Sequence, residues 1–167
     1  MIDKLYLVGF MAAGKSTVAK ALAARLQWRA EDVDELIEAR ERRPVADIFA
    51  SDGETYFRAA ERDILRLLLP LRHVVVATGG GTFMDPEIRT AINTDGVSIW
   101  LDVPLEELLA RIPNDGRRPL AADRAAMERL FDVRIAAYGA ARLRVNASGV
   151  PPEEVAERIL EQLALIN

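Results

Sequence analysis

The chain has 167 residues, half of them hydrophobic and 29% charged, with a net charge of −4 and a pI near 5.2. That is enough apolar material for one compact α/β-sized domain, and the acidic balance argues against general nucleic-acid binding. The lack of cysteine and the single histidine, His73, exclude a disulfide framework and argue against a zinc site, and no secretory signal or transmembrane run is present, so a cytoplasmic location without a membrane partner is expected.

KLYLVGF (4–10) is short and apolar, meets a glycine at Gly9, and reads as a buried strand. It runs into GFMAAGKST (9–17), which fits G-x-x-x-x-G-K-[ST] with Gly9, Gly14, Lys15 and Ser16. A polyphosphate has to be wrapped in backbone N–H groups, so the chain must curl with little side-chain obstruction. The helix that follows, TVAKALAARL, adds its unpaired N–H groups and the positive end of its dipole. In this motif the lysine reaches the β- and γ-phosphates and the Ser16 hydroxyl ligates Mg²⁺. Ala12 and Ala13 place methyls inside the loop and leave less backbone freedom than glycine. The bland alternative is an ordinary glycine turn, but the strand–loop–helix context favours nucleotide binding.

EDVDELIE (31–38) brings Asp32 and Asp34. Alternation in an extended segment puts both on one side of the chain, one to support Mg²⁺ and one to accept a proton from a substrate hydroxyl. A solvated acidic helix start is the alternative. In GETYFRAAE (53–61), Arg58 stands at helical spacing from Glu54 and Glu61, the pattern of an exposed salt-bridged face. ERDILRLLLPL continues as helix until Pro70. HVVVATGGG (73–81) is a second buried strand; Gly79, Gly80 and Gly81 at its end suit a close ligand approach, or a flexible turn. PEIRTAI is a helix with Asp85 as N-cap and Pro86 at its first position. VSIWLDVP (97–104) is a third strand, and PLEELLARI a helix. NDGRRPLAAD (114–123) reads as a mobile surface loop whose Arg117 and Arg118 either close over phosphate or simply solubilise the surface. Arg134 and Tyr138 share a helical face; Arg134 fits a bidentate contact to a carboxylate, or an ion pair with Asp132. RLRVNA is a fourth, weaker strand. The last helix, 151–166, sets Val155, Ile159, Leu160, Leu163 and Ile166 on one stripe. Strands alternating with helices indicate a parallel sheet, with its ligand site beyond the carboxyl ends where Gly9 and the three glycines stand.

Taken in order, GFMAAGKST, D-V-D-E-L-I-E at Asp32, F-R-A-A-E at Phe57, G-G-G at Gly79, R-P-L at Arg118 and R-I-A-A-Y at Arg134 resemble the shikimate kinase family across nearly the whole chain. The resemblance implies an α/β P-loop three-layer sandwich, similar to nucleoside-monophosphate kinases. Its five-stranded parallel sheet has the order 2-3-1-4-5, flanked by helices, with a lid loop. It implies a single domain over 1–167, with the phosphate loop at 9–17, a substrate-binding helical region at about 32–62 and the lid at about 113–124.

The implied reaction is phosphorylation of the shikimate 3-hydroxyl by ATP, with Mg²⁺, in aromatic amino acid biosynthesis. By resemblance, Gly9, Ala12, Ala13, Gly14, Lys15, Ser16, Thr17 and Arg118 bind ATP, and Ser16 and Asp32 serve the metal. Asp34 binds ring hydroxyls and is the base. Arg58 and Arg134 clamp the carboxylate, and Gly79, Gly80 and Gly81 line the substrate. Lys15, Asp34 and Arg118 are the implied catalytic residues, with ATP and shikimate as the only partners of a monomer.

The chain departs from the family pattern at Ala12 (usually glycine), Glu31 (usually apolar), Ala136 (often proline) and around TFMDP. The alternatives are a related kinase for another hydroxylated acid such as gluconate, or a non-catalytic module of the same fold. The intact Lys15, Asp34 and lid arginines argue against the latter.

Overall fold

The computed structural model describes residues 1–112 and 124–167. Nearly all of the expected lid, with Arg117 and Arg118, lies outside the described residues. Five strands form one parallel sheet: β1 (Lys4–Val8), β2 (Arg29–Asp32), β3 (Val74–Ala77), β4 (Val97–Asp102) and β5 (Leu143–Asn146), in the order β2-β3-β1-β4-β5. The described helices are α1 (Lys15–Leu26), α2 (Val33–Glu41), α3 (Val45–Leu68), α4 (Pro86–Asp95), α5 (Leu105–Arg111), α6 (Arg124–Tyr138) and α7 (Pro152–Ile166). This is the three-layer α/β arrangement expected.

β1 and β3 are buried along their whole length, and β4 along all but its last residue. Helices cover both faces, so these strands read as continuous apolar runs. The fifth strand, β2, has the sequence RAED and is largely exposed. It lies at the sheet edge and pairs only with β3, so the backbone ladder rather than its side chains makes it a strand. Its Glu31 carboxylate pairs with Arg29.

Two expectations about helices change. α3 starts at Val45, well before the segment read as helical, and is broken at Gly53, whose φ of 82° and ψ of 176° are not helical. Asp32 and Asp34 do not alternate along an extended segment. Asp32 ends β2 and caps α2, accepting a hydrogen bond from the Glu35 N–H at 3.0 Å, while Asp34 sits in the first helical turn. α4 begins as expected: Asp85 caps it by accepting from the Glu87 N–H at 2.9 Å, and Pro86 follows.

The register places the two glycine-bearing strand ends side by side. Leu7 of β1 pairs with Ala77 of β3, and Asp32 of β2 lies against Ala77 on the other side. The Thr78 hydroxyl donates to the Leu7 carbonyl at 2.8 Å and ties the start of the second glycine segment to the first.

Candidate active site

The phosphate loop leaves β1 at Val8 and enters α1 at Lys15. Gly14 caps the helix with φ 94° and ψ 18°, a left-handed conformation natural to glycine, and no acidic side chain occupies the first helical turn. The N–H groups of that turn suit an anion, with no acidic residue in the turn itself to compete. Ala12 is also left-handed, with φ 65°. Its carbonyl accepts from Arg111 Nη1 at 3.2 Å. Lys15 folds back over the loop, with Nζ donating to the carbonyls of Gly9 at 2.5 Å and Phe10 at 2.9 Å. Ala13 is buried and Thr17 is exposed. The Ser16 hydroxyl donates to Asp32 Oδ2. A hydroxyl and a carboxylate side by side at the loop form an oxygen donor pair that suits Mg²⁺, which needs few protein ligands when phosphates and water complete its shell.

The second half of the site closes on the end of β3. A methyl added at Gly79 would lie 3.0 Å from Asp34 Oδ1 and 3.2 Å from Glu61 Oε2. At Gly80 it would lie 2.9 Å from Arg134 Nη1, and at Gly81 2.9 Å from Arg58 Cζ. Three glycines in a row thus let groups from α2, α3 and α6 reach one strand end. The sequence pointed to close approach here; the groups that approach are the protein's own.

Arg58 makes the expected ion pairs with Glu54 and Glu61, but the face is not an exposed one, since Glu61 is buried and Arg58 half-buried. Its Nη1 donates to Glu61 Oε1 at 3.0 Å and Oε2 at 3.3 Å, and Glu54 lies 3.5 Å from its Nη2. Glu61 is fully buried, and its Oε2 also accepts from the Thr82 hydroxyl at 2.7 Å, which in turn accepts from the Gly79 N–H at 2.9 Å. This carboxylate was missed as a site residue. Its signal was its place on the apolar stripe of Phe57, Ile64, Leu65 and Leu68, where a charge has to be paired.

Arg134 makes no ion pair with Asp132. Its guanidinium lies 5.5 Å from the Phe10 ring centroid. Burial pulls it below the ordinary arginine range, and the like charge of Arg58 acts in the same direction. Tyr138, one turn on, donates its hydroxyl to the Gly80 carbonyl, and burial pushes that phenol up, so it stays protonated. A cavity of about 300 Å³ opens here, lined by Arg58, Glu61, Gly81, Met84, Leu130 and Arg134. The cavity thus brings two guanidiniums to one wall, Arg58 already paired with Glu61 and Glu54, and Arg134 without an ion pair among the described residues.

The fold, with its phosphate loop beyond the central strand, is that of the α/β P-loop kinases. The sequence profile of shikimate kinases matches residues 11–164, and the chain belongs to the shikimate kinase family. The shikimate kinase of Persephonella marina is 39% identical over 160 residues, covering 95% of this chain and 98% of its own. The solved shikimate kinase of Acinetobacter baumannii in complex with shikimate superposes with a TM-score of 0.93 at 30% identity, covering all of this chain and 96% of its own. A gluconokinase from Sinorhizobium meliloti, at 18% identity and a TM-score of 0.60, shares the fold alone.

Proposed function

We propose that this chain transfers the γ-phosphoryl group of ATP to the 3-hydroxyl of shikimate, giving shikimate 3-phosphate and ADP. The observation that carries this reading is the convergence of Asp34, Arg58 and Arg134 on Gly79, Gly80 and Gly81, beside the phosphate loop. A carboxylate with ring hydroxyls needs guanidinium forks at one end and an acceptor oxygen at the other, and this set supplies both.

In the proposed mechanism the loop from Gly9 to Thr17, including Ala12 and Ala13, wraps the phosphates with backbone N–H groups. Lys15 leaves its loop carbonyls to meet the charge on the transferring group. Ser16 and Asp32 hold Mg²⁺, which when bound neutralises phosphate oxygens. Arg58 and Arg134 fix the acceptor carboxylate, and Asp34 holds the 3-hydroxyl in line. The hydroxyl oxygen attacks the γ-phosphorus, its proton passes to Asp34, and the bond to the β-phosphate oxygen breaks with ADP leaving. Phosphoryl transfer asks mainly for positioning and charge neutralisation, which is what these groups offer. Arg118 completes the reading as the lid residue on the ATP phosphates, as the family resemblance implies. We take residues 1–167 to work as one unit, a cytoplasmic monomer acting on small molecules; no helix among the described residues is long and apolar enough to cross a membrane.

The test is ADP release from Mg-ATP in a coupled assay with shikimate, gluconate, a nucleoside monophosphate mixture or no acceptor. Release with shikimate alone is expected, and turnover with gluconate instead would overturn the acceptor assignment. Asp34→Asn should lose most of kcat and keep its ATP affinity, measured by calorimetry. An equal loss of both would remove Asp34 from the acceptor side.

A further inference from the structure

An arginine that forks a carboxylate has to be held still beforehand, because its side chain carries about 2 kcal/mol of rotamer entropy. Arg58 is held by Glu61 and Glu54. Arg134 is not clamped in this way: Glu54 acts on it only at longer range, among the described residues it forms no ion pair, and what it lies against is Gly80, Tyr138 and the ring of Phe10. Phe10 is nearly fully buried, and its ring stacks on Phe131 with centroids 5.3 Å apart and planes 29° from parallel. Phe131 and Arg134 are one helical turn apart on α6, so a single turn of that helix presents both the stacking ring and the guanidinium to Phe10. The carbonyl of the same Phe10 accepts from the Lys15 ammonium at 2.9 Å. One residue of the phosphate loop, at a position that the loop motif leaves open, thus touches the lysine with its backbone and the acceptor arginine with its ring.

We propose that Phe10 is a positioning residue for the acceptor: its aromatic face seats the Arg134 guanidinium in the orientation that receives the substrate carboxylate. The inference rests on the reading of Arg134 as a carboxylate clamp. The seat works because the guanidinium is desolvated there, the setting in which a cation over an aromatic face is held most strongly. It also fits the guanidinium's place in the cavity lining, where among the described residues no carboxylate forms an ion pair with it.

The test is steady-state kinetics with both substrates varied, on Phe10→Leu, Phe10→Tyr, Phe131→Leu, Arg134→Ala and the Phe10→Leu/Arg134→Ala double variant, each checked by thermal melting. Phe10→Leu should raise the KM for shikimate about 3- to 30-fold, the span of a desolvated cation–aromatic contact, and move the KM for ATP by less than about 2-fold. Phe10→Tyr should retain the native shikimate KM. Phe131→Leu, which leaves the loop sequence intact, should reproduce the shikimate-selective rise in smaller degree. In the Arg134→Ala background Phe10→Leu should add little, because the group it seats is gone. If Arg134→Ala raises the shikimate KM and Phe10→Leu does not, the seat is refuted while the clamp stands. If neither does, the clamp reading itself fails. Equal rises in both KM values from Phe10→Leu would mean a distorted loop, and the proposal would fall.

Discussion

Gly81→Ala isolates the spatial demand of the proposed acceptor site. Gly81 has φ −103° and ψ −1°, a conformation open to alanine, so the substitution adds a methyl without left-handed strain. That methyl would lie 2.9 Å from Arg58 Cζ and Nη1, well inside normal contact. The guanidinium is the far end of a flexible side chain, so it gives way before the backbone does. A retreat of roughly 1 Å takes it out of hydrogen-bond range of a substrate carboxylate, and a charged hydrogen bond is worth about 1.5–3 kcal/mol. The KM for shikimate should therefore rise about 10- to 150-fold. Steady-state kinetics with saturating ATP read this directly, and the KM for ATP should stay near its native value, because the phosphate loop is untouched. A shikimate KM within about 2-fold of native, in a protein whose melting temperature is unchanged, would show that Arg58 does not hold the acceptor.

Ala12→Gly should raise the melting temperature by about 1–2 °C, because release from the left-handed region, about 1–2 kcal/mol, outweighs glycine's extra chain entropy and the loss of one half-buried methyl by roughly 0.5 kcal/mol; a lower melting temperature would refute this. Glu61→Gln should lower it by about 3–9 °C and weaken shikimate binding as well, since Glu61 is the buried charged partner of Arg58, and calorimetric titration with shikimate checks the second effect. Asp95 gives a pH test. Burial pushes its carboxyl up, but hydrogen bonds from Lys4 at 2.6 Å, Tyr6 at 2.6 Å and Arg72 at 2.9 Å outweigh that and hold it below the ordinary 3.8. A depressed carboxylate stabilises the fold above its unfolded pKa and loses that contribution as pH falls through the folded one. Urea melts of Asp95→Asn should thus show a constant deficit above about pH 5 that closes below about pH 3.8.

The phosphate loop was legible because its chemistry is local: glycines, lysine and serine stand within nine residues between a strand and a helix. β1, β3 and β4 were legible because burial on both faces writes itself as an apolar run. β2 was invisible to the same reasoning, since an exposed edge strand made of RAED carries no such mark and the family resemblance alone implied it. The misreading of Asp32 and Asp34 had a local remedy. Asp32 and Glu35 stand three apart, the spacing of a helix start, and the extended alternation was the weaker reading.

The proposed acceptor side was legible as residue types but not as an arrangement, because its partners are far apart in sequence. Arg58 meets Gly81 across 23 positions and Arg134 meets Gly80 across 54. No periodicity in one helix reports such a meeting. What the sequence did carry was its necessary condition, a strand end stripped of side chains. Three Cβ atoms there would collide with Asp34, Arg134 and Arg58, so the glycines and the charged groups form one device. The glycines supply space and the helices supply charge. A substitution on either side should therefore disturb acceptor binding while leaving the phosphate loop, built from contiguous residues, to bind ATP on its own.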